Sequence, residues 1–472
     1  MGKFQGILKN LSYSVIANGA NMVISMVLVM FVPKLLGVTE YSYWQLYVFY
    51  ASYVGFFHLG WADGIYLKFG GKKYEDLDKG YFHVQFWMLT ILEIFIAIAI
   101  AVFSMFFVAE KSRQLIFLAV GLCCVFQIPR TFLQYVLQTT NKIVNYARNF
   151  LLEKMVYAAL VVVVLALGVR SFPALIAADL IARAFTLVLL VRECRDIIFT
   201  RCGQWRQGFK ESIDNISIGI KLMFANIASQ LLLGIIRWGI ERNWSIETFG
   251  KVSLSITASN LLMVFISAVS IVLYPMLRTI SPEKYGEMYK SMRDILMVFV
   301  AGLLVIYYPA KVILSWWLPQ YAESLKYMAL LFPMCVFESK MTMLVSTYLK
   351  ALRKEKAIMF INVGVVLLTV IFAVICIYGL DNLTLTITSL PILMGVRSCI
   401  GEIVIAKEIN IKVLKEIIAE FGLMAVFITV SWFIDSWLSM GIYLLVYLIY
   451  LLWKRTALSL LLYKMRGLIG RN

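Results

Sequence analysis

Apolar residues in this chain come in runs of about 20, separated by short polar breaks, and a run of that length spans a bilayer as a helix. The pattern predicts fourteen spans, at roughly 12–33, 41–62, 81–108, 115–138, 150–169, 173–192, 216–240, 250–276, 293–317, 325–348, 357–379, 383–406, 414–434 and 438–453. The second span is rich in tyrosine, and the last two lie close together. The first apolar run is too long for the core of a secretion signal and ends in no small-residue cleavage site, so it reads as a span.

The longest polar break, "RECRDIIFTRCGQWRQGFKESIDN" (Arg192 to Asn215), follows span six. It reads as a basic, partly amphipathic linker that anionic lipid would attract. The predicted organisation is therefore an all-α polytopic membrane protein with a six-helix lobe over 1–192 and a linker over 193–215. A second six-helix lobe follows over 216–408, then two extra helices and a basic tail over 409–472. A weak internal repeat supports two lobes: Ala17-Asn18-x-Ala20 aligns with Ala225-Asn226-x-Ala228, and at the same offset "VTEYSYW" (from Val38) falls on "IETFGKV" (from Ile246). Membrane transporters built on such repeats place substrate sites between the halves.

Polar residues recur within the spans at helical spacing. Span one carries Ser14, Asn18, Asn21 and Ser25 on one face, and span four carries Gln127, Arg130, Gln134, Gln138 and Asn141. Span seven carries Asn226, Gln230, Gly234, Arg237 and Glu241, and span eight Ser253, Thr257, Asn260 and Ser267. Lipid cannot satisfy such a face, so it must meet protein or water. For spans one and eight, interhelical hydrogen bonding and a wet path are equally good readings. The large amides and arginine of span four favour a hydrated cavity.

Composition agrees: 61% of the 472 residues are hydrophobic and 15% charged, too apolar for a soluble core. The net charge of +17 reflects topology. With both termini in the cytoplasm, most basic residues gather on inner segments, as the positive-inside rule requires, and nucleic acid is not an expected partner. Seven cysteines avoid the predicted outer loops, and two histidines with no clustered spacing leave no metal site.

The intramembrane charges are the candidate chemistry. Asp179 and Arg183 stand one turn apart in span six, as a private pair or as substrate ligands. Arg397 lies mid-span with Glu402 about 140° around the helix. Arg130 follows Pro129. Glu338 and Lys340 lie on opposite faces of span ten, each paired across helices or coupled to an ion, and Glu93 stands alone in span three. Arg237, in "SQLLLGIIRWGIERNW", is roughly 30 Å along its helix and near the outer surface, where snorkelling competes with a cavity role. Deep arginines outnumber deep acids, which suits a phosphate-bearing substrate because guanidinium donates bidentately and stays charged. Trp44, Trp61 and Trp238 are candidates for stacking on sugars, or interfacial anchors.

Several stretches resemble Wzx-type polysaccharide and O-antigen flippases: "MFVPKLLGVTEYSYWQL" (from Met30), "LQTTNKIVNYARNFLLEK" (from Leu137), "IIRWGIERNWSIETFGKVSLS" (from Ile235) and "LYPMLRTI" (from Leu273). Relatives often read Asp-Arg where this chain has Ile236-Arg237. The resemblance implies the multidrug/oligosaccharidyl-lipid/polysaccharide exporter fold in a bacterial cytoplasmic membrane. It implies alternating-access flipping of undecaprenyl-pyrophosphate-linked oligosaccharide for surface polysaccharide or capsule assembly. Arg237, by position, is carried over as a cavity arginine. Together the candidate substrate ligands are Arg237, Arg397, Arg130, Arg183, Asn18, Asn21, Asn226, Gln230 and Gln134, and the candidate ion-coupling groups are Glu338, Asp179 and Lys340. The expected partners are the lipid-linked oligosaccharide, membrane lipids and other polysaccharide-assembly membrane proteins, with a monomer as the unit. No cofactor is expected beyond a coupling proton or sodium ion. A lipid II flippase is the nearest rival. A drug antiporter of the same fold should favour cavity carboxylates, and a membrane glycosyltransferase would need a catalytic outer loop that is missing here.

Overall fold

The computed structural model describes residues 19, 22–200, 205–278 and 285–469, with the side chains of 262, 264–278 and 456–469 excepted. Asn18 and Asn21, and with them the span-one half of the repeat motif, lie outside these residues. Among the described residues the chain is helical throughout, with no strand.

Helix α1 is Met22–Leu36. It is followed by α2 (Val38–Ala51), α3 (Trp61–Phe69), α4 (Lys79–Phe107), α5 (Lys111–Thr139), α6 (Ile143–Ala166), α7 (Phe172–Glu193) and the short α8 (Arg195–Ile198). Then come α9 (Trp205–Asn243), α10 (Ile246–Arg278), α11 (Tyr285–Leu303), α12 (Tyr307–Trp317), α13 (Ala322–Leu325), α14 (Met328–Ser339) and α15 (Ser346–Ala351). The chain closes with α16 (Glu355–Ala373), α17 (Leu383–Glu408), α18 (Leu414–Phe433) and α19 (Trp437–Ile469). Helical segments stand at every predicted span, and eleven among the described residues are long and apolar enough to cross a membrane. This is a multi-pass membrane protein.

Capping explains several boundaries. The Asp78 carboxylate accepts from the Tyr81 amide to open α4, the Asn382 side chain does so for Leu385 to open α17, and Pro173 sits in the first turn of α7. The second span is broken rather than straight. After α2 the chain forms a 3₁₀ turn over Val54–His58, passes through left-handed backbone at Leu59 (φ 53°) and Gly60 (φ 82°), and restarts as α3. The break lets α3 approach α9 closely. A Cβ on Gly219 would lie 2.0 Å from the Gly60 carbonyl oxygen, and one on Gly64 would lie 1.9 Å from that of Asn215. Small residues at such crossings let membrane helices pack backbone to backbone.

Two compact units divide at Ile227/Ala228, inside the continuous α9. Within the stretch expected as a linker, α9 is already helical at Trp205, and its first turns belong to unit one. Glu211 pairs with Lys68 at 2.6 Å, and Asn215 Nδ2 donates to Gln85 at 2.7 Å. The polar residues that suggested a solvated linker are answered by unit-one side chains. Cys194 and the adjoining turn of α8 are tied in the same way, with the Tyr74 hydroxyl donating to Asp196 at 2.8 Å.

Burial is uneven within each unit. In unit one α5 has 56% of its apolar window buried against 17% for α4. In unit two the run Met328–Ala351 is 89% buried and contains a π-helical segment at Lys340–Val345, and α17 is also 67% buried over its apolar window. The helix order repeats as well, since α2 begins at Val38 and α10 at Ile246, the same offset of 208 residues seen in the motif alignment. Helices α18 and α19 belong to unit two.

Candidate functional site: buried charge in each unit

Gln127, Arg130 and Gln134 of the span-four stripe are met by protein side chains, whereas Asn141 lies past the end of α5 and is exposed. Arg130 Nη1 donates to Glu153 on α6, with both side chains under 8% exposed. Gln134 Nε2 donates to Asn149 Oδ1 at 2.9 Å, and Asn149 Nδ2 passes the chain on to the Thr186 carbonyl of α7 at 3.1 Å. Arg183 Nε binds Asp179 at 2.7 Å and its Nη1 donates to Gln127, while the Tyr47 hydroxyl donates to Asp179 at 2.7 Å. Arg183 and Asp179 are thus a pair, and more: they form the centre of a network joining α2, α5 and α7. Along the stripe expected to line a hydrated cavity, the long amides and the arginine bond directly to side chains of α6 and α7.

Unit two holds the second arginine site. Arg397, on α17 and only 3% exposed, spreads its guanidinium over three helices. Nε donates to Asn362 Oδ1 at 2.8 Å, Nη1 to Glu338 Oε2 at 3.0 Å and Nη2 to Ser229 Oγ at 2.8 Å. Two of the predicted residues, Arg397 and Glu338, are therefore brought together. Asn362 and Ser229 are added by the fold, and only their placement one helix away from an arginine marks them. A guanidinium carries five N–H donors, so three bonds leave two to offer. Glu338 is the open side of the cluster, its side chain 22% exposed.

A tighter cluster lies elsewhere in unit two. Lys340, at the start of the π-helical segment, contacts Glu402 and binds Glu420 at 2.7 Å. Arg293 contacts the same two carboxylates, reaching Glu420 at 2.6 Å. All four side chains are 2% exposed or less. Two cations and two anions balance, which is the arrangement that makes full burial tolerable. Arg293 is not among the candidate residues that the sequence pattern singles out. The adjacent Asp294, which binds Lys454 of α19 at 2.7 Å, was the available signal that the start of α11 turns charge inward.

Arg237 is half-buried, its Nη2 donating to Ser253 at 3.0 Å and its guanidinium 5.4 Å from the Phe249 ring. Asn226 and Gln230 lie on exposed positions of α9. Asn226 falls in unit one and Gln230 in unit two. The expected surplus of deep guanidinium does not survive the pairing: Arg130, Arg183 and Arg397 each face a carboxylate. Trp44 and Trp61 are core residues, the first stacked on Tyr157 and the second donating to Gln85 at 2.9 Å, whereas Trp238 is exposed. Glu93 is fully buried and neither carboxyl oxygen has a hydrogen-bond partner among the described residues. Those residues hold no cluster of metal-ligating side chains.

No protein-family model matches the chain. No curated protein matches its sequence either. Solved structures do match. An inward-facing multidrug-resistance MATE-family transporter of the MOP superfamily aligns with a TM-score of 0.64 at 11% identity, covering 83% of this chain and 98% of its own. The lipid II flippase MurJ, in an inward closed conformation, aligns with a TM-score of 0.61 at 11% identity, covering 96% of this chain and all of its own. A MOP-superfamily transporter from Pyrococcus furiosus, described as having a binding pocket of reversed polarity, aligns at 0.56 and 13% identity over 86% and 96%. The chain has the fold of MOP-superfamily transporters.

Proposed function

We propose that this protein is a flippase that moves an undecaprenyl-pyrophosphate-linked oligosaccharide across the cytoplasmic membrane by alternating access. The observation that carries the reading is coverage. The multidrug transporter uses nearly all of its own length to match 83% of this chain, whereas the lipid flippase matches 96%. The greater coverage supports a helix complement like that of a lipid II flippase, with two helices beyond a pair of six-helix halves. Reaction chemistry has no part in such a task. Within unit two, Arg397 supplies the charge the pyrophosphate needs. Its two remaining N–H groups and the open Glu338 suit an exchange in which substrate phosphate displaces the carboxylate and is later displaced by it. Arg237 offers a second half-buried guanidinium near one end of α9.

The same coverage favours a second reading, lipid II as the substrate. The two are separated by leaflet-resolved translocation in proteoliposomes containing the full-length protein and either fluorescent lipid II or a lipid-linked oligosaccharide lacking the peptide. Translocation of the oligosaccharide, lost on Arg397→Lys and reduced on Arg237→Ala, supports the proposal. Movement of lipid II alone transfers it to the rival, and movement of neither substrate overturns both.

A further inference from the structure

Where α6 begins and α7 ends in unit one, a cavity of about 540 Å³ is lined by Arg148, Asn149, Leu152, Leu189, Arg192 and Glu193. Its lining is graded along the helix axes. Arg148 stands one turn from Leu152 on α6, and Arg192 and Glu193 stand one turn from Leu189 on α7, so charge lies at the helix ends and leucine lies deeper. The floor is Asn149, 3% exposed and fixed by Gln134 and the Thr186 carbonyl. Glu193 is already engaged by Asn145 and by Arg148 at 3.3 Å. Arg148 nevertheless remains 64% exposed, and Arg192 is exposed with no ion pair among the described residues. The carboxylate offsets one guanidinium, and the cavity keeps a net positive charge.

The rest of this helix pair presents exposed apolar side chains. On α6, Met155, Val162 and Val163 are exposed, and on α7 so are Ile181, Phe185 and Val188. A cavity at the end of such a helix pair sits at headgroup depth, where basic pockets between helices bind anionic lipid. We infer that this cleft binds the phosphate of an anionic glycerophospholipid, with Arg148 and Arg192 on the phosphate and Leu152 and Leu189 against the upper acyl chain. The inference is separate from the Arg397 cluster, because it concerns α6 and α7 of unit one and none of that cluster's residues.

The test is native mass spectrometry of the full-length protein titrated with phosphatidylglycerol, phosphatidylcholine, undecaprenyl phosphate and inorganic phosphate. Two variants address the cleft differently: Arg148→Gln with Arg192→Gln removes the charge, and Leu152→Trp fills the space with charge unchanged. A control, Lys350→Gln with Lys356→Gln, removes two exposed charges of unit two. Retention of phosphatidylglycerol over phosphatidylcholine, weakened at least tenfold in both cleft variants and unaltered in the control, is the expected result. Equal weakening in the control, or no weakening in either cleft variant, overturns it. Preferential retention of undecaprenyl phosphate or of inorganic phosphate at the cleft overturns it in favour of that ligand. Should the double variant fail to fold, Leu152→Trp alone decides.

Discussion

Arg293 and Glu420 are joined at 2.6 Å with both side chains all but sealed from the surface. This single contact ties α11 to α18, the first of the two extra helices, and Lys454 with Asp294 does the same for α19. Buried ion pairs of this kind are expensive to break from one side. Removing one partner costs about 3–5 kcal/mol because the other charge stays buried, whereas replacing the whole set by apolar residues is often neutral. Glu420→Ala should therefore lower thermal stability in detergent sharply. A fourfold apolar replacement of Arg293, Lys340, Glu402 and Glu420 should recover most of the loss. A stability unchanged by Glu420→Ala would mean the cluster is wetter than its burial says.

The Arg397–Glu338 pair predicts an asymmetric transport phenotype. Glu338→Gln removes the carboxylate that competes for the guanidinium, so the substrate should bind more tightly, by about tenfold, and leave more slowly. Saturation kinetics in proteoliposomes should show a lower half-saturation concentration together with a lower maximal rate. Arg397→Lys loses the fork that reaches Asn362, Glu338 and Ser229 at once, and should cost at least about tenfold in rate. A maximal rate unaffected by either change would remove the pair from the transport path.

The crossing of α3 and α9 leaves no room for side chains. Gly64→Ala would place a methyl 1.9 Å from the Asn215 carbonyl, and backbone cannot yield as a flexible side chain does. The expected destabilisation is at least about 1–3 kcal/mol, the usual range for overpacking, with Gly219→Ala alike. Gly364→Ala, where a Cβ meets nothing within 4 Å, should be harmless. Folded yield and melting temperature of the three variants check the ranking.

Cys194, just past the end of α7, has its thiol pushed up to about 11, first by burial, although the Tyr74 hydroxyl acts in the opposite direction. The folded state therefore holds a proton that the unfolded chain gives up near pH 9. Stability contributed at this site is unaffected below that pH and falls as pH rises from about 9 to 11, by at most about 1.4 kcal/mol per unit. Peptide-resolved alkylation should find Cys194 protected at pH 8 in the folded protein and modified after denaturation. Rapid modification of the native protein would contradict its burial.

Much of the fold was legible in one dimension. Apolar runs near 20 residues and the charges between them are a direct consequence of bilayer thickness, so the helical, multi-span class followed from spacing alone. The second span shows where spacing stops being informative. Its Tyr-rich stretch is long enough for one helix, yet Leu59 and Gly60 turn left-handed there, and only the close approach of α9 explains why. The helical start of α9 within the expected linker has the same origin. Lys210, Glu211 and Asn215 look like linker residues until Lys68 and Gln85 are placed opposite two of them.

Charge is the other divide. The sequence by itself determined that arginines and acids lie within the spans, because hydrophobic context on both sides of Arg130, Arg183 and Arg397 is a local property. Which acid answers which arginine is set by contacts between helices distant in the chain. Glu402, on the same helix as Arg397, neutralises Arg293 and Lys340 instead, while Glu338, 59 residues away, neutralises Arg397. Helical periodicity fixes the face a residue occupies but says nothing of the neighbour that face will meet. That choice belongs to the packed unit, where a buried charge is tolerable when a partner of opposite sign lies within bonding distance.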